Sequence, residues 1–286
     1  MNRRKKLKEL TLKDNFMFGA VMSDETNCRR LLELVLQFPI ERVEVSKEKS
    51  IVYHPQYKGI RLDVYAKDAT RTHYNVEMQA VQQQALGKRA RYYHSQIDME
   101  LLSAGADYAE LPNTYVIFIC DFDPFGEKKY RYTFYNRCVE SETAKLNDGH
   151  QSIFLSTVGK NAEEVPEPLV KFLKYVHADL RQSTEDFGDA FVESLQASVR
   201  RIKENREMEE RFMILHEMMR EERAEGKAEG KAEGKAESII ELLEELGAVS
   251  EALCEKIMSQ TDLTVLKQWL KLAAKADSIG QFEKEM

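Results

Sequence analysis

Two short segments in which apolar and polar side chains alternate place the strongest constraint on the fold of this 286-residue chain. Apolar residues occupy every second position of residues 60–66, and residues 73–79 alternate with the same period. A period of two is typical of a half-buried β-strand. Because residues 67–71 between them are polar and turn-prone, we expect the two strands to form a hairpin. The alternation predicts that three side chains share one strand face and point away from the core: Asp63, Glu77 and Gln79.

The two carboxylates on this face are candidates for a metal site. Neighbouring strands lie about 4.8 Å apart, so Asp63 and Glu77 could share one divalent cation, which would relieve their mutual repulsion. The alternative is that both are ordinary solvated charges, since acids are common on exposed strand faces. The pattern by itself leaves both interpretations open.

Several motifs, taken in order along the chain, resemble a known family. Leu62-Asp63 is followed by Glu77-Met78-Gln79 and then by a helical segment that contains Arg89, Arg91, Tyr92, Tyr93 and Gln96. Further segments that fit the same pattern are residues 12–18, 102–108, 115–120 and 123–126. Over most of residues 10–240 the chain resembles the PD-(D/E)XK nuclease superfamily and, more narrowly, its bacterial family of recombination-promoting nucleases and transposases.

This resemblance implies a fold and an activity. The implied fold is α/β, with a restriction-endonuclease-like core of helix, three strands, helix and strand, followed by a helical C-terminal extension. The implied activity is that of a metal-dependent DNA endonuclease associated with recombination or mobile elements. One or two Mg²⁺ ions, which Mn²⁺ can replace, would be held by Asp63, Glu77 and the Met78 carbonyl. Asp14 is either a further acidic ligand or simply the residue that starts the first helix.

One position departs from the superfamily pattern. Most members carry lysine where this chain has Gln79, and a lysine would help to orient the attacking water and offset charge at the phosphate. Glutamine can only donate and accept hydrogen bonds, so we expect Gln79 to act as a neutral orienting group in catalysis. The departure leaves a second function open, that of a catalytically weakened nuclease-like protein that acts through oligomerisation or partner binding.

The helix predicted at residues 84–103 supplies the auxiliary candidates. Arg89, Tyr92 and Gln96 are three and four positions apart and therefore share a face, with Tyr93 beside them. Such a face can contact the DNA backbone or brace the acids, whereas its alternative role is ordinary packing and solvation. The candidate DNA-binding or auxiliary residues are Lys88, Arg89, Arg91, Tyr93 and Gln96, with Lys5 and Lys6 as further basic candidates near the N terminus.

Other patterns predict the remaining elements. Apolar spacing indicates one helix over residues 14–37, stopped by Pro39. Strands are predicted at residues 43–53, 115–120, 130–135 and 152–155. The run at 115–120 is almost continuously apolar, which suits a strand covered on both faces. From Pro166 onward the pattern becomes helical.

Charge and cysteine content narrow the setting in which the protein acts. The net charge is +1 for residues 1–180, −4 for residues 181–237 and −4 for residues 238–286. Contact with DNA must therefore use local basic groups.

Four widely spaced cysteines suggest neither a zinc site nor a disulfide framework. The basic start lacks the apolar run of a signal peptide, and no stretch approaches a membrane span, so we expect a cytoplasmic protein with DNA, and not a membrane, as its partner.

The C-terminal part predicts three further regions after a nuclease-like domain at residues 1–180. Residues 181–223 are expected to form an extended charged helical segment. Residues 224–237 contain three consecutive copies of Ala-Glu-Gly-Lys, which form either a marginal helix or a flexible tether because each helical glycine costs about 0.8–1 kcal/mol relative to alanine. Residues 238–286 predict a small helical domain with more apolar surface than it can bury. This excess predicts a homo-oligomer that assembles through the C-terminal region.

Overall fold

The computed structural model describes residues 5–51 and 60–286 and has a mixed α/β architecture, as predicted. The helices are α1 (Asn15–Met22), α2 (Glu25–Leu36), α3 (Leu86–Leu101), α4 (Glu167–His177), α5 (Ala190–Glu204), α6 (Arg206–Glu244), α7 (Glu251–Met258), α8 (Leu263–Ala273) and α9 (Ile279–Glu285). The strands are β1 (Val43–Ile51), β2 (Ile60–Asp68), β3 (His73–Gln79), β4 (Thr114–Cys120), β5 (Arg131–Phe134) and β6 (His150–Ser156). The predicted end of the first strand, residues 52 and 53, lies outside the described residues.

All six strands belong to one sheet in the order β1-β2-β3-β4-β6-β5. The pairs β1–β2 and β2–β3 are antiparallel, whereas the pairs β3–β4 and β4–β6 are parallel. β5 pairs antiparallel with β6. The carboxyl ends of the three parallel strands therefore meet at one edge of the sheet. Side chains that follow these ends are brought together there.

The predicted hairpin of β2 and β3 is confirmed, but the predicted exposure of its polar face is wrong. Glu77 and Gln79 are buried, as are all the other residues of β3. Glu77 is in register with Phe118 of β4, and the ring of Phe118 stacks on that of Tyr93 from α3. Helix α3 thus covers the face that contains Glu77. The alternation identifies the shared face correctly, but it does not show that a helix with polar side chains lies over it.

The single helix predicted over residues 14–37 is instead two helices, α1 and α2. The break occurs at Ser23-Asp24, where the Asp24 carboxylate accepts hydrogen bonds from the backbone N–H groups of Thr26 and Asn27 at 3.0 and 3.1 Å. These bonds satisfy amides that have no partner within the helix. Asp24 therefore starts a new helix inside an apolar pattern that otherwise continues.

A close backbone approach at Gly159, in the loop after β6, gives a stability prediction. A Cβ atom on Gly159 would lie 2.5 Å from both the Cγ and the backbone nitrogen of Tyr130. We expect Gly159→Ala to lower the free energy of unfolding by about 1–3 kcal/mol, because a backbone atom cannot move aside as a flexible side chain can. Gly280→Ala is the control, since a Cβ at Gly280 meets no atom within 4 Å. Urea unfolding of both variants measures the difference; equal stability would contradict the packing at Tyr130.

The structure divides the chain differently from the sequence-based prediction. One compact unit extends to Glu209 and a second comprises residues 210–286. The predicted boundary at residue 180 lies inside the first unit, because α5 packs on α1, α2 and α4. The first unit therefore contains the sheet together with helices α1–α5.

The second unit has its own apolar core, so the predicted excess of apolar surface is reduced, although Leu242, Leu270 and Leu272 are only partly buried and Leu246 is exposed. Side chains from α6 to α9 form one cluster that includes Leu243, Ile257, Leu266, Trp269 and Phe282. Side-chain caps start two of these helices: the Ser250 hydroxyl accepts a hydrogen bond from Leu253 N–H at the start of α7, and the Asp262 carboxylate accepts two backbone hydrogen bonds at the start of α8.

The Ala-Glu-Gly-Lys copies are helical throughout and form part of α6. Ala232 and Ala236 are buried in the cluster of the second unit, whereas the flanking Glu and Lys side chains are predominantly exposed. Ala232 of the last copy and Ala236 just after it therefore contribute to the C-terminal core. Among residues 5–51 and 60–286, no helix combines the length and apolarity that a membrane crossing requires.

Candidate active site

Asp63 and Glu77 lie next to each other across the β2–β3 pair. Val64 pairs with Val76, so one step along the antiparallel register sets Asp63 opposite Glu77. The backbone N–H of Asp63 donates to Glu77 Oε1 at 3.2 Å, and the backbone N–H of Met78 donates to Asp63 Oδ2 at 3.2 Å. Each carboxylate therefore accepts a hydrogen bond from the strand that carries the other. These reciprocal bonds hold two acidic groups together in a fixed arrangement.

Burial makes the negative charge of Glu77 unfavourable in this arrangement. Its side chain has no solvent exposure, and burial, followed by the nearby charge of Asp63, raises the pKa of Glu77 from about 4.5 to about 7. The guanidinium of Arg89 acts in the opposite direction and lowers the pKa of Glu77. Ionised Glu77 thus has a need for positive charge that one partly exposed arginine satisfies only in part.

Helix α3 supplies Arg89 and Tyr93 to the carboxylates, and this contact corresponds to one of the roles that the sequence leaves open for this helix face. Arg89 Nη2 donates to Glu77 Oε2 at 2.9 Å, and its Nε donates to the Tyr93 hydroxyl at 2.6 Å. Burial and the charge of Glu77 raise the pKa of Tyr93 to about 12. Tyr93 therefore stays protonated at neutral pH. Its hydroxyl can donate a hydrogen bond toward Glu77 Oε2, which lies 3.5 Å away.

Gln79 lies at the end of β3, two residues after Glu77 and on the same face. Its side chain is buried, and Nε2 donates to the carbonyl oxygen of Met78 at 3.3 Å. The amide group of Gln79 is thus directed at the same carbonyl that the family resemblance assigns as a metal ligand. A metal at this carbonyl would share the oxygen with Gln79 or turn its amide elsewhere.

No hydrogen bond to Asp63 or Glu77 is found in the described part of the chain for the other candidate residues of α3, namely Lys88, Arg91 and Gln96. Lys88 and Arg91 are exposed on α3. Gln96 is buried and its Nε2 lies 3.9 Å from Met99 Sδ. Their roles at the site stay predictions.

Asp14 and Lys5 contact each other near the start of α1. Asp14 accepts hydrogen bonds from the Thr11 backbone at 2.7 Å and from Lys5 Nζ at 2.9 Å. The structure thus gives Asp14 a role in shaping the turn before α1. Its assignment as a metal ligand stays a prediction, and Lys5 is engaged in an exposed ion pair.

Two residues that the candidate set does not include lie at the site. Gln83 accepts a hydrogen bond from Arg89 Nη1 at 3.0 Å. Asn75 is fully buried two residues before Glu77, and neither amide atom of Asn75 makes a hydrogen bond of normal geometry in the described part of the chain. The alternation of β3 does place Asn75 on the face of Glu77. No comparable sequence signal exists for Gln83, which lies in a loop.

The donor atoms present fit a divalent cation that also takes backbone or water ligands. Within residues 5–51 and 60–286, no group of three or more His, Cys, Asp or Glu side chains is placed to hold a metal. Two carboxylates and a carbonyl are oxygen donors of the type that Mg²⁺ prefers, and Mg²⁺ commonly retains several waters. The unpaired amide of Asn75 adds a buried polar group able to hold one such water.

Comparison with known proteins identifies the family. A model of the family described as PD-(D/E)XK nuclease family transposase matches residues 12–232. The chain belongs to this family. The matched range contains both carboxylates, Gln79 and all of α3, and it ends inside α6. Family membership indicates a nuclease linked to mobile elements, with DNA as its substrate. No curated protein and no solved structure matched the chain.

Proposed function

We propose that this family member is a metal-dependent DNA endonuclease that hydrolyses phosphodiester bonds at Asp63 and Glu77. The observation that carries the proposal is the reciprocal pairing of two carboxylates, one of them fully buried and raised in pKa. We infer that Asp63, Glu77 and the Met78 carbonyl hold one or two Mg²⁺ ions, or Mn²⁺ in their place. The cation would supply the positive charge that activates water and stabilises the attacked phosphate.

The side chains around the carboxylates have separate roles in this proposal. Asp63 and Glu77 bind the cation, and Tyr93 fixes the orientation of Glu77 through its hydroxyl. Arg89, which donates to Glu77 in this structure, would neutralise charge on the DNA phosphate if a bound cation balanced the charge of Glu77. Gln79 orients the attacking water by hydrogen bonding. We infer that Lys88 and Arg91, which are exposed on the same helix, bind flanking phosphates.

Supercoiled plasmid DNA provides the direct test of this function. The full-length protein is expected to nick plasmid in Mg²⁺ or Mn²⁺ and to stop when EDTA removes the cation. No nicking at any concentration of either metal would favour the second candidate, a nuclease-like protein that acts through partner binding. The observation in favour of that second candidate is the contact of Arg89 with Glu77, because it already neutralises part of the site.

Variants at Gln79 test its proposed orienting role. We expect Gln79→Ala to lower the cleavage rate about 10- to 1000-fold, since the water loses a hydrogen-bonding group. Gln79→Lys is expected to retain or raise activity, because lysine adds charge near the phosphate. Single-turnover cleavage rates measure both effects. An unchanged rate for Gln79→Ala would show that Gln79 lies beside the site without taking part in the reaction.

Three further features belong to the proposal. We place the activity in recombination or mobile-element biology, in accordance with the family, and in the cytoplasm, where bacterial DNA lies. The restriction-endonuclease-like arrangement of the core also stays an inference from the family. Self-association stays a prediction. Because the tail core buries many of its own apolar side chains, we now base this prediction on α6, which exposes Met213, Ile214, Met218 and Met219.

A further inference from the structure

An open cleft of about 620 Å³ lies between the loops that follow β3 and β4. One wall is the loop after β3 with Gln82, Gln83 and Gln84, and the other is the loop after β4 with Pro124 and Phe125. Both loops follow the carboxyl ends of parallel strands, at the sheet edge where Gln79 ends β3. A second cavity, of about 480 Å³, includes Asn113 and His150 and therefore lies at the opposite edge. Of these two cavities, the larger one lies at the sheet edge where Gln79 ends β3 and is positioned to receive a substrate of the proposed site.

One arginine connects this cleft to the catalytic carboxylates. Arg89 Nη1 donates to Gln83 Oε1 at 3.0 Å, while Nη2 of the same guanidinium donates to Glu77 Oε2 at 2.9 Å. Gln83 is part of the cleft wall, so the cleft and the carboxylates are separated by one planar group. A nucleotide bound in the cleft would therefore adjoin the phosphate that is cleaved.

The aromatic wall of the cleft is rigid and partly open. Phe125 is 40% exposed, and its ring is held by Tyr132 at 4.9 Å, Phe134 at 5.0 Å and Phe154 at 5.1 Å between centroids. Phe154 is buried in the main core. An aromatic ring fixed by three others loses little entropy when a ligand stacks on it.

The opposite wall is polar but uncharged. The three glutamine side chains can each donate and accept hydrogen bonds, and among the described residues the cleft lining contains no lysine, arginine, aspartate or glutamate. A site for a phosphate alone is commonly rich in cations. An aromatic ring facing neutral amides is instead the environment that binds a nucleobase by stacking and edge hydrogen bonds.

We propose that the cleft binds one unstacked DNA base, which stacks on Phe125 and hydrogen bonds to the glutamines. This inference rests on the proposed nuclease function and specifies its substrate class. A base inside a regular duplex is not available for such stacking, so the preferred substrate is single-stranded DNA or a duplex with an unpaired or extruded nucleotide.

The competing occupant is a phosphate at the start of α3. Ala85 precedes that helix without a side-chain cap, so its first N–H groups could bind an anion. Two oligonucleotides distinguish these occupants. Hexathymidylate and a hexamer of abasic residues carry the same phosphates, but only hexathymidylate carries bases. Fluorescence anisotropy of labelled hexamers, with full-length protein in EDTA, is expected to show about 5- to 50-fold weaker binding of the abasic hexamer. Equal affinities would overturn the proposal and favour the phosphate.

Variants at Phe125 locate the base within the cleft. Phe125→Leu keeps an apolar side chain against Phe154 but removes the stacking ring, and we expect it to weaken hexathymidylate binding about 5- to 50-fold. Phe125→Trp is expected to retain binding. Tyr108→Leu removes an exposed aromatic ring outside the cleft and should have no effect. Thermal melting checks that each variant is folded; if Phe125→Leu does not fold, the Trp variant and the abasic comparison decide.

The outcomes separate this inference from the proposed function. Plasmid nicking by the wild type together with unchanged oligonucleotide binding by Phe125→Leu would refute the base site and leave the nuclease intact. A base-dependent affinity that requires Phe125, in a protein that cuts no DNA, would support the base site and refute the nuclease.

Discussion

Asp63→Asn and Glu77→Gln are each expected to lower the rate of DNA cleavage by on the order of 1000-fold or more. Asp63→Ala and Glu77→Ala are each expected to abolish cleavage. Asp63→Asn and Glu77→Gln keep the shape of each side chain but remove the negative charge that binds the cation. The backbone bonds between β2 and β3 do not depend on this charge, so the variants are expected to fold. Cleavage of plasmid DNA at saturating Mg²⁺ measures the loss.

A matched control comes from the same sheet. Glu44 of β1 is an exposed strand acid that pairs with Lys67 on β2, and exposed pairs of this kind contribute little to stability. Glu44→Gln should therefore cleave DNA at the wild-type rate. Wild-type rates in both Asp63→Asn and Glu77→Gln would refute the site assignment.

Glu77→Gln is also expected to stabilise the metal-free protein at alkaline pH. Since folding raises the pKa of Glu77 from about 4.5 to about 7, the folded state binds the proton more tightly than the unfolded state. The free energy of unfolding therefore falls as pH rises from about 4.5 to about 7, by on the order of 3 kcal/mol from this group. Glutamine carries no titratable proton and avoids this loss.

Urea unfolding in EDTA at pH 5 and pH 8 measures this effect. Part of the gain is offset because Arg89 loses its ionised partner, although Gln83 and Tyr93 still accept its hydrogen bonds. We expect Glu77→Gln to be more stable than the wild type at pH 8, by about 1–3 kcal/mol, and to show a smaller difference at pH 5. A destabilisation at pH 8 equal to that at pH 5 would contradict the burial of an ionised Glu77.

The β2–β3 hairpin is predictable from sequence because its signals are local. A turn-prone stretch between two alternating segments fixes both the pairing and the face that Asp63 shares with Glu77. The apolar run of β4 likewise predicts its burial on both faces, and the structure agrees. The family motifs add the roles of these residues, which alternation alone leaves undecided between metal binding and solvation.

Features that depend on distant packing are not predictable in the same way. Glu77 alternates like an exposed strand residue, but α3 covers it with Arg89 and Tyr93, and only the tertiary structure brings these side chains over β3. Gln83 has no periodic signal because it lies in a loop.

The break between α1 and α2 is a local feature that the apolar pattern does not record. Asp24 caps α2 through two hydrogen bonds to nearby backbone N–H groups, and this effect does not depend on hydrophobicity.

The tail illustrates the limit of counting apolar residues within a predicted boundary. The count for residues 238–286 excludes Ala232, in the last glycine-containing copy, and Ala236, just after it, although both form part of the tail core. Phe282 of α9 fills the same cluster. A domain that begins earlier buries more of its own side chains, so the apparent excess is reduced.

Calorimetric titration of Mn²⁺ into the full-length protein tests the central claim most directly, because it detects the metal site independently of cleavage. The proposed site predicts saturable binding by the wild type and by Glu44→Gln, and a loss of at least about 10-fold in affinity for both Asp63→Asn and Glu77→Gln. Equal affinities in all four proteins, or no binding by the wild type, would contradict the assignment of Asp63 and Glu77 as metal ligands.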